Sequence, residues 1–463
     1  MKNKQVLKYH INAGNGPFFQ FLDISHDYYV AAINPDTAFW SLIKKEEIAA
    51  TLHDRHFVNS FRKSEKKFLT EMNTLRFGLL PAAAYINPTD RCNSNCPYCY
   101  LSEESRMNGE LLSYENLTII LQKLMIYFSN TVKNARKPDI IFHGAEPLLN
   151  ADTLFRVITE FKKHFNFGIQ TNAILLDSDK IAFIKKNELG IGISLDGTQA
   201  DINDITRKKW DNTGYFNNSI NALEKLRNYN RLNVMCTINS ANVRNLPDMV
   251  EFLHDYNVSS CMLNMIRRTM EKAESVLPDE DIASSFFIKA LDKSHELFRK
   301  SGRKIIISNF ANIILSIVAP TARNLMCDIS PCGGGRCFFA ISASGDIYPC
   351  SEFLSIKDFN AGNIFTRNIE NVLTSPPFLA MLDRTCEKID DCKNCSIKHY
   401  CGAPCPAEAF SRKLNILNKG TFCNFYIEQA KYAFRLIADQ KADDFLPDGW
   451  DSSITASYQY EKK

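Results

Sequence analysis

The stretch Cys92-Asn93-Ser94-Asn95-Cys96-Pro97-Tyr98-Cys99 spaces three cysteines as C-x₃-C-x₂-C, just after an apolar run, Ala82 to Asn87, that reads as a β-strand. A [4Fe–4S] cluster and a structural zinc each take four protein ligands, so three thiolates are one short. A tight triplet without a fourth partner predicts a cluster with one iron left open. An open iron is useful when a chelating cofactor binds it. A zinc knuckle or a disulfide pair is the alternative reading of the spacing.

Working outward from the triplet, strands and helices alternate over residues 79–316. Strand runs are Ala82–Asn87, Asp139–Phe142, Phe167–Thr171, Ile191–Leu195, Asn233–Ile238 and Cys261–Met265. Between them, Tyr114–Phe128, Asp152–His164, Asp177–Lys186, Phe216–Asn228 and Leu246–Tyr256 place apolar residues three and four apart, as one helix face requires. Another helix follows, from about Pro278 to Arg299. Six β-α units predict an α/β fold, a partial, TIM-like (β/α)6 barrel with ligands at the carboxyl ends of its strands.

Residues 1–78 read as a small α+β segment, with short strands at Gln20–Ile24, Tyr28–Ile33 and Phe39–Ile43 and a helical pattern from Glu46 to Arg76. Residues 317–436 are rich in turns, and this third region holds ten of the fifteen cysteines. It is expected to build little core and to be stapled by metal. Residues 437–463 form a polar tail.

The 463 residues carry a net charge of +3 and are 45% hydrophobic. That balance gives no reason to expect nucleic acid or a membrane surface as partner. No apolar run is long enough to span a bilayer, and the start, Met1 to Leu7, lacks the core of a signal peptide. A cytoplasmic location is expected, where cysteines serve metals more often than disulfides.

The triplet, with Tyr98 before its last cysteine, resembles the radical S-adenosylmethionine (SAM) enzymes. The resemblance implies that Cys92, Cys96 and Cys99 hold a catalytic [4Fe–4S] cluster. Its open iron would take the amino and carboxylate groups of SAM and split the sulfonium to a 5′-deoxyadenosyl radical. Further family positions fall at successive strand ends. His143-Gly144-Ala145-Glu146-Pro147 resembles the family's Gly-Gly-Glu-Pro, with Ala145 in place of the second glycine. Asn172 matches a ribose contact. Ser194 and Arg207 match the residues that hold the SAM carboxylate, and Asp196 lies between them. Asn239, after the fifth strand, is placed near the adenine.

The spacing Cys392-x₂-Cys395-x₅-Cys401-x₃-Cys405-x₁₇-Cys423, with Cys332 and Gly345-x₄-Cys350 upstream, resembles the SPASM domain of peptide- and protein-modifying radical SAM enzymes. The resemblance implies two auxiliary [4Fe–4S] clusters, three in all. Cys332, Cys350 and Cys405 would ligate the first, with Cys327 or Cys337 as the fourth ligand. Cys392, Cys395, Cys401 and Cys423 would ligate the second. A zinc-stapled domain is the other reading of such pairs. Cys236 and Cys261, inside apolar strands, read as small core residues.

The combined pattern looks most like a maturase of ribosomally made peptides, performing an oxidative crosslink or side-chain oxidation. It implies a precursor peptide or protein as substrate and a flavodoxin or ferredoxin as reductant. The N-terminal segment is expected either to bind a leader peptide or to cap the barrel. Anaerobic sulfatase maturases also resemble the chain, but where they carry an aspartate after the Gly-x₄-Cys cysteine this chain has Ser351, then Glu352. A radical SAM enzyme of small molecules and a non-catalytic electron carrier remain as other classes.

Overall fold

The computed structural model describes residues 19–132, 137–323 and 325–450. The expectations for Met1 to Leu7 and for the end of the tail fall outside the described residues. Three strands, β1 (Gln20–Leu22), β2 (Tyr29–Ile33) and β3 (Trp40–Lys44), form an antiparallel sheet in that order. The following helix, Arg55–Phe77, is capped by Asp54, whose side chain accepts from His56 N. It buries Phe61, Phe68, Met72 and Leu75, one face at helical spacing. This segment is tied to the C-terminal region. Trp40 Nε1 donates to Ile317 O at 2.7 Å, and Tyr400 Oη to Ala38 O at 2.6 Å.

The main sheet contains β4 (Ala83–Ile86), β5 (Asp139–Phe142), β6 (Asn166–Thr171), β7 (Gly190–Ser194), β8 (Leu232–Ile238), β9 (Ser260–Met265), β10 (Ile306–Ile307), β11 (Phe338–Ile341) and β12 (Ile347–Tyr348). Its order is β10-β9-β8-β7-β6-β5-β4-β11-β12. Every pair is parallel except β11 with β12. All six expected strands are present and consecutive, and the β-α alternation makes them parallel. Central strands read as apolar runs because helices cover one face and side chains fill the other.

The Cys-rich region departs from expectation in two ways. Its Phe338–Ile341 run joins β4 in parallel, Phe338 opposite Ala83 and Ile341 opposite Ile86, so the barrel sheet continues into it. A four-residue apolar run is ambiguous by pattern, and the open edge of β4 is what recruits it. The region also builds a core of its own, in which Tyr348, Phe353, Phe359 and Met381 are buried together. The expectation of little core is corrected, because these aromatics are scattered in sequence and converge only through turns.

Candidate functional site

The triplet lies on the loop after β4, held by bonds to its own backbone and to distant segments. Cys99 N donates to Cys96 O at 3.2 Å, Cys92 N to Arg106 O at 2.8 Å, and Asn95 N to Lys208 O at 2.6 Å. Arg106 Nη1 donates to Ser94 O, and Trp210 Nε1 to Cys92 O. Polar groups also approach the sulfurs. The hydroxyls of Ser94 and Tyr215 each lie 3.7 Å from Cys96 Sγ, and Asn172 Nδ2 lies 3.9 Å from Cys92 Sγ.

The three cysteines open on a cavity of about 390 Å³ at the carboxyl ends of the parallel strands. Tyr98, Gly144, Ala145, Asn172, Ser194 and Arg207 line it with them. At Gly144 the backbone has φ +112°, and a Cβ there would stand 2.1 Å from Asn87 Oδ1, so only glycine fits. Ala145 is not among the positive-φ residues, so its methyl group costs no backbone strain.

Three of the expected cofactor residues stand behind the wall. Glu146 is fully buried and accepts from Thr171 Oγ1, Leu148 N and Asn172 N, all within 3.0 Å. Burial pushes its carboxyl up to about 7 against these three donors. Asp196 accepts from Tyr98 Oη, Thr206 Oγ1 and Thr237 N and pairs with Arg207. Asn239 turns its side chain onto Thr237 O and Ala241 N.

Arg267, Tyr100, Tyr426 and Gln429 escaped the sequence reading, while Glu352 and His143 were named in it without a place in the cavity. Arg267 stands two residues past β9, where the strand-end logic already applied to Asn172 and Ser194 would have found it. Its guanidinium, in the cavity wall, is acted on by Tyr426, Cys405, Glu408 and Glu352. Glu352 also faces the cavity; burial raises its carboxyl, and Thr269 Oγ1 at 3.4 Å is its hydrogen-bond contact. Tyr426 and Gln429 arrive on the helix Cys423–Ala438, and no local signal marks them. Tyr100 and His143 stack in the wall, ring centroids 6.2 Å apart and 7° from parallel.

The C-terminal cysteines gather in two groups. Cys327 is exposed, yet desolvation by the protein around it and then Cys332 raise its thiol, with Cys405 also contributing; Cys350 is raised by burial, Cys332 and Cys327. Cys337 is raised by burial and, of the thiols, by Cys332 alone. In the other group, burial and then Cys395, Cys423 and Cys392 raise Cys401. Crowded buried thiols hold their protons until a cation offsets the mutual repulsion of their thiolates.

Spacing tests which cation fits. Tetrahedral zinc at about 2.3 Å from each sulfur would set thiolates about 3.8 Å apart. Among the described residues, the group of three ligand atoms found mutually within 4.8 Å is Cys386, Glu387 and His399; no three of the triplet or of the two C-terminal groups meet that limit. Arg76 Nη2, 3.0 Å from Glu387 Oε2, closes that smaller group as an ion-paired network. The cysteine groups offer thiolate donors alone, the ligand type of iron–sulfur clusters. Buried cations flank them too: Arg323 Nε and Nη1 and Arg336 Nε have no hydrogen-bond partner. These residues fit anionic iron–sulfur clusters.

Residues 86–255 match the family model described as the radical SAM superfamily, and residues 332–396 match the iron–sulfur cluster-binding SPASM model. An uncharacterized protein of Archaeoglobus fulgidus is 40% identical over 87% of this chain and 91% of its own length. The chain belongs to the radical SAM superfamily and carries a SPASM domain. It is a radical SAM modifying enzyme, dependent on [4Fe–4S] clusters and SAM. A cysteine-type anaerobic sulfatase-maturating enzyme of Clostridium novyi is 25% identical over 77% of this radical SAM chain and 94% of its own. In fold, the structure of anSMEcpe with bound AdoMet and Cp18Cys peptide superposes with a TM-score of 0.66 at 20% identity, covering 78% of this chain and 99% of that one. Among the described residues of the enzyme, no helix is long and apolar enough to cross a membrane.

Proposed function

We propose that this enzyme matures a peptide or protein segment by a net two-electron oxidation of one of its residues. One observation carries the reading: Cys92, Cys96, Cys99 and Cys327 all open on the same cavity. The SAM site and the first auxiliary thiols thereby address one volume. Cys92, Cys96 and Cys99 would hold the cluster that takes SAM. Cys327, Cys332, Cys350 and Cys405 would hold the first auxiliary cluster, and Cys392, Cys395, Cys401 and Cys423 the second. When bound, these groups supply hydrogen abstraction from an unactivated C–H bond and a place for the electron left behind.

The protein's part is positioning and proton handling. Ser94, Tyr215 and Asn172 steady the triplet sulfurs. Arg207, its fork oriented by Asp196, offers a planar cation to the SAM carboxylate. Glu146 supports the Asn172 turn. Glu352, with its raised carboxyl, is placed to take the proton that oxidation releases. The peptide class is supported by the sulfatase-type relatives and by the peptide bound in anSMEcpe. Within this reading residues 1–78 are a leader-binding or capping segment, 79–316 the barrel, 317–436 the SPASM domain and 437–463 a tail. The location is the cytoplasm, and a flavodoxin or ferredoxin supplies electrons.

Formylglycine formation is the second reading, and one observation favours it. Ser351 is buried off the cavity, while its neighbour Glu352 reaches the wall and restores a base. The test is anaerobic incubation of the reconstituted enzyme with SAM, reductant and two peptides. One is a sulfatase-type cysteine peptide, the other the product of a short open reading frame beside the gene. Loss of two hydrogens marks a crosslink, and exchange of the thiol for a carbonyl marks formylglycine. SAM cleavage without either change refutes the peptide reading in favour of a small molecule.

A further inference from the structure

Arg384 follows the helix Pro376–Asp383 and is among the largest fully buried side chains of the protein, 1% exposed. Among the described residues no carboxylate lies within ion-pair distance of it. Its hydrogen bonds go to two backbone carbonyls, Nε to Ile416 O at 2.6 Å and Nη2 to Asn418 O at 3.0 Å. An enclosed guanidinium without a counter-charge is costly, because carbonyl dipoles replace only part of its hydration. Something anionic must lie close.

The chain around it shows what. Three residues before, Met381 packs in one apolar cluster with Cys332, Cys350 and Cys405. Two residues after, Cys386 packs in another with Ile389, Ala403 and Cys392. Arg384 is the link between the two. Burial acts against its charge first, and the thiols of Cys332 and Cys405 from the first set and of Cys392 and Cys401 from the second act in its favour. Its carbonyl partners lie between Cys405 and Cys423, on the segment that connects the two sets. A cation shared by two cluster sites stabilises the more negative, reduced state of each, and net charge near a cluster is one of the levers on its potential.

We propose that Arg384 is a positioning residue that bridges the two auxiliary clusters electrostatically and raises the reduction potential of both. This rests on the ligand assignment above. The shared cation makes the first set a better electron acceptor and keeps the second close to it in potential. The proposal confines the effect to the auxiliary pair, because the thiols that favour the Arg384 charge belong to those two sets.

The test is a redox titration followed by electron paramagnetic resonance on the full-length, reconstituted enzyme, without substrate. Iron is counted first. About twelve irons in the unaltered enzyme support the ligand assignment. About four irons with bound zinc would refute that assignment, and the bridge with it. Given full iron, Arg384→Gln is expected to move both auxiliary midpoints to more negative values while the SAM cluster midpoint stays. Arg384→Lys, which keeps the charge, is expected to restore most of the difference. Unchanged midpoints in a fully loaded Arg384→Gln protein overturn the proposal, as does an equal shift of all three clusters. If Arg384→Gln loses auxiliary iron but Arg384→Lys keeps it, charge is the requirement and the bridge stands. Loss of iron in both variants assigns Arg384 to holding Ile416 and Asn418 in place, and overturns it.

Discussion

Arg207 and Asp196 form a buried ion pair, with Nε 3.1 Å from Oδ2 and Nη2 3.2 Å from Oδ1. The guanidinium also lies over the Tyr98 ring, 5.7 Å from its centroid, and Tyr98 Oη donates to the same carboxylate. An aromatic of the cysteine loop, the end of β7 and the residue after the helix Ala200–Thr206 are locked into one unit. Asp196 does not reach the cavity, yet it fixes the one arginine of this unit that does.

That geometry separates binding from stability. Arg207→Lys keeps a charge for Asp196 but loses the fork, and should weaken SAM binding by about 1.5–3 kcal/mol, the scale of a hydrogen bond to a charged group. Arg207→Ala should also destabilise the fold, by about 3–5 kcal/mol, because it strands a buried carboxylate. Anaerobic calorimetry reads the first effect and urea unfolding the second. SAM affinity unchanged in Arg207→Lys removes the residue from the cofactor site.

Cys96→Ala should abolish production of 5′-deoxyadenosine and lower the iron content by about four of twelve. The hydroxyls of Ser94 and Tyr215 converge on this sulfur, and an alanine methyl group offers a cluster no ligand. Iron analysis and chromatography of the SAM cleavage products check both parts. Residual cleavage in the variant would refute the three-ligand site.

Cys327 and Cys337 compete for the fourth place in the first auxiliary set, and the geometry separates them. Cys327 lines the cavity, is acted on by Cys332 and Cys405 and itself acts on Cys350, whereas of the thiols only Cys332 acts on Cys337. Cys337→Ser should therefore keep the full iron content, while Cys327→Ser should alter or lose one cluster, visible in the Mössbauer spectrum. The reverse pattern would assign Cys337.

His143 supplies a pH dependence. Burial lowers its imidazole from about 6.5 to about 4. The unfolded chain binds the proton more readily, so stability falls as pH drops from 6.5 towards 4 and is fully present above that window. The effect is at most about 3.5 kcal/mol. His143→Gln should flatten the pH dependence of the urea midpoint between pH 5 and 6.5. An unchanged slope would mean that another group carries it.

Much of this protein was legible in its sequence. The triplet spacing, six apolar runs followed by amphipathic stretches, and the polar residues at four strand ends are local patterns, and backbone periodicity turns each into a definite place on the barrel. The C-terminal cysteine spacing named its module in the same way. Tertiary structure decided the rest. It placed Glu146, Asp196 and Asn239 behind the cavity wall, because whether a polar side chain meets a ligand or a neighbouring backbone depends on segments far away in sequence. It joined Phe338–Ile341 to β4, since an open sheet edge exists only once the sheet has formed. It brought Glu352, Arg267, Tyr426 and Gln429 to one cavity from separate elements, and it buried Arg384 against the carbonyls of Ile416 and Asn418. Sequence spacing records what a residue can do; burial and long-range packing determine which charges have to balance one another.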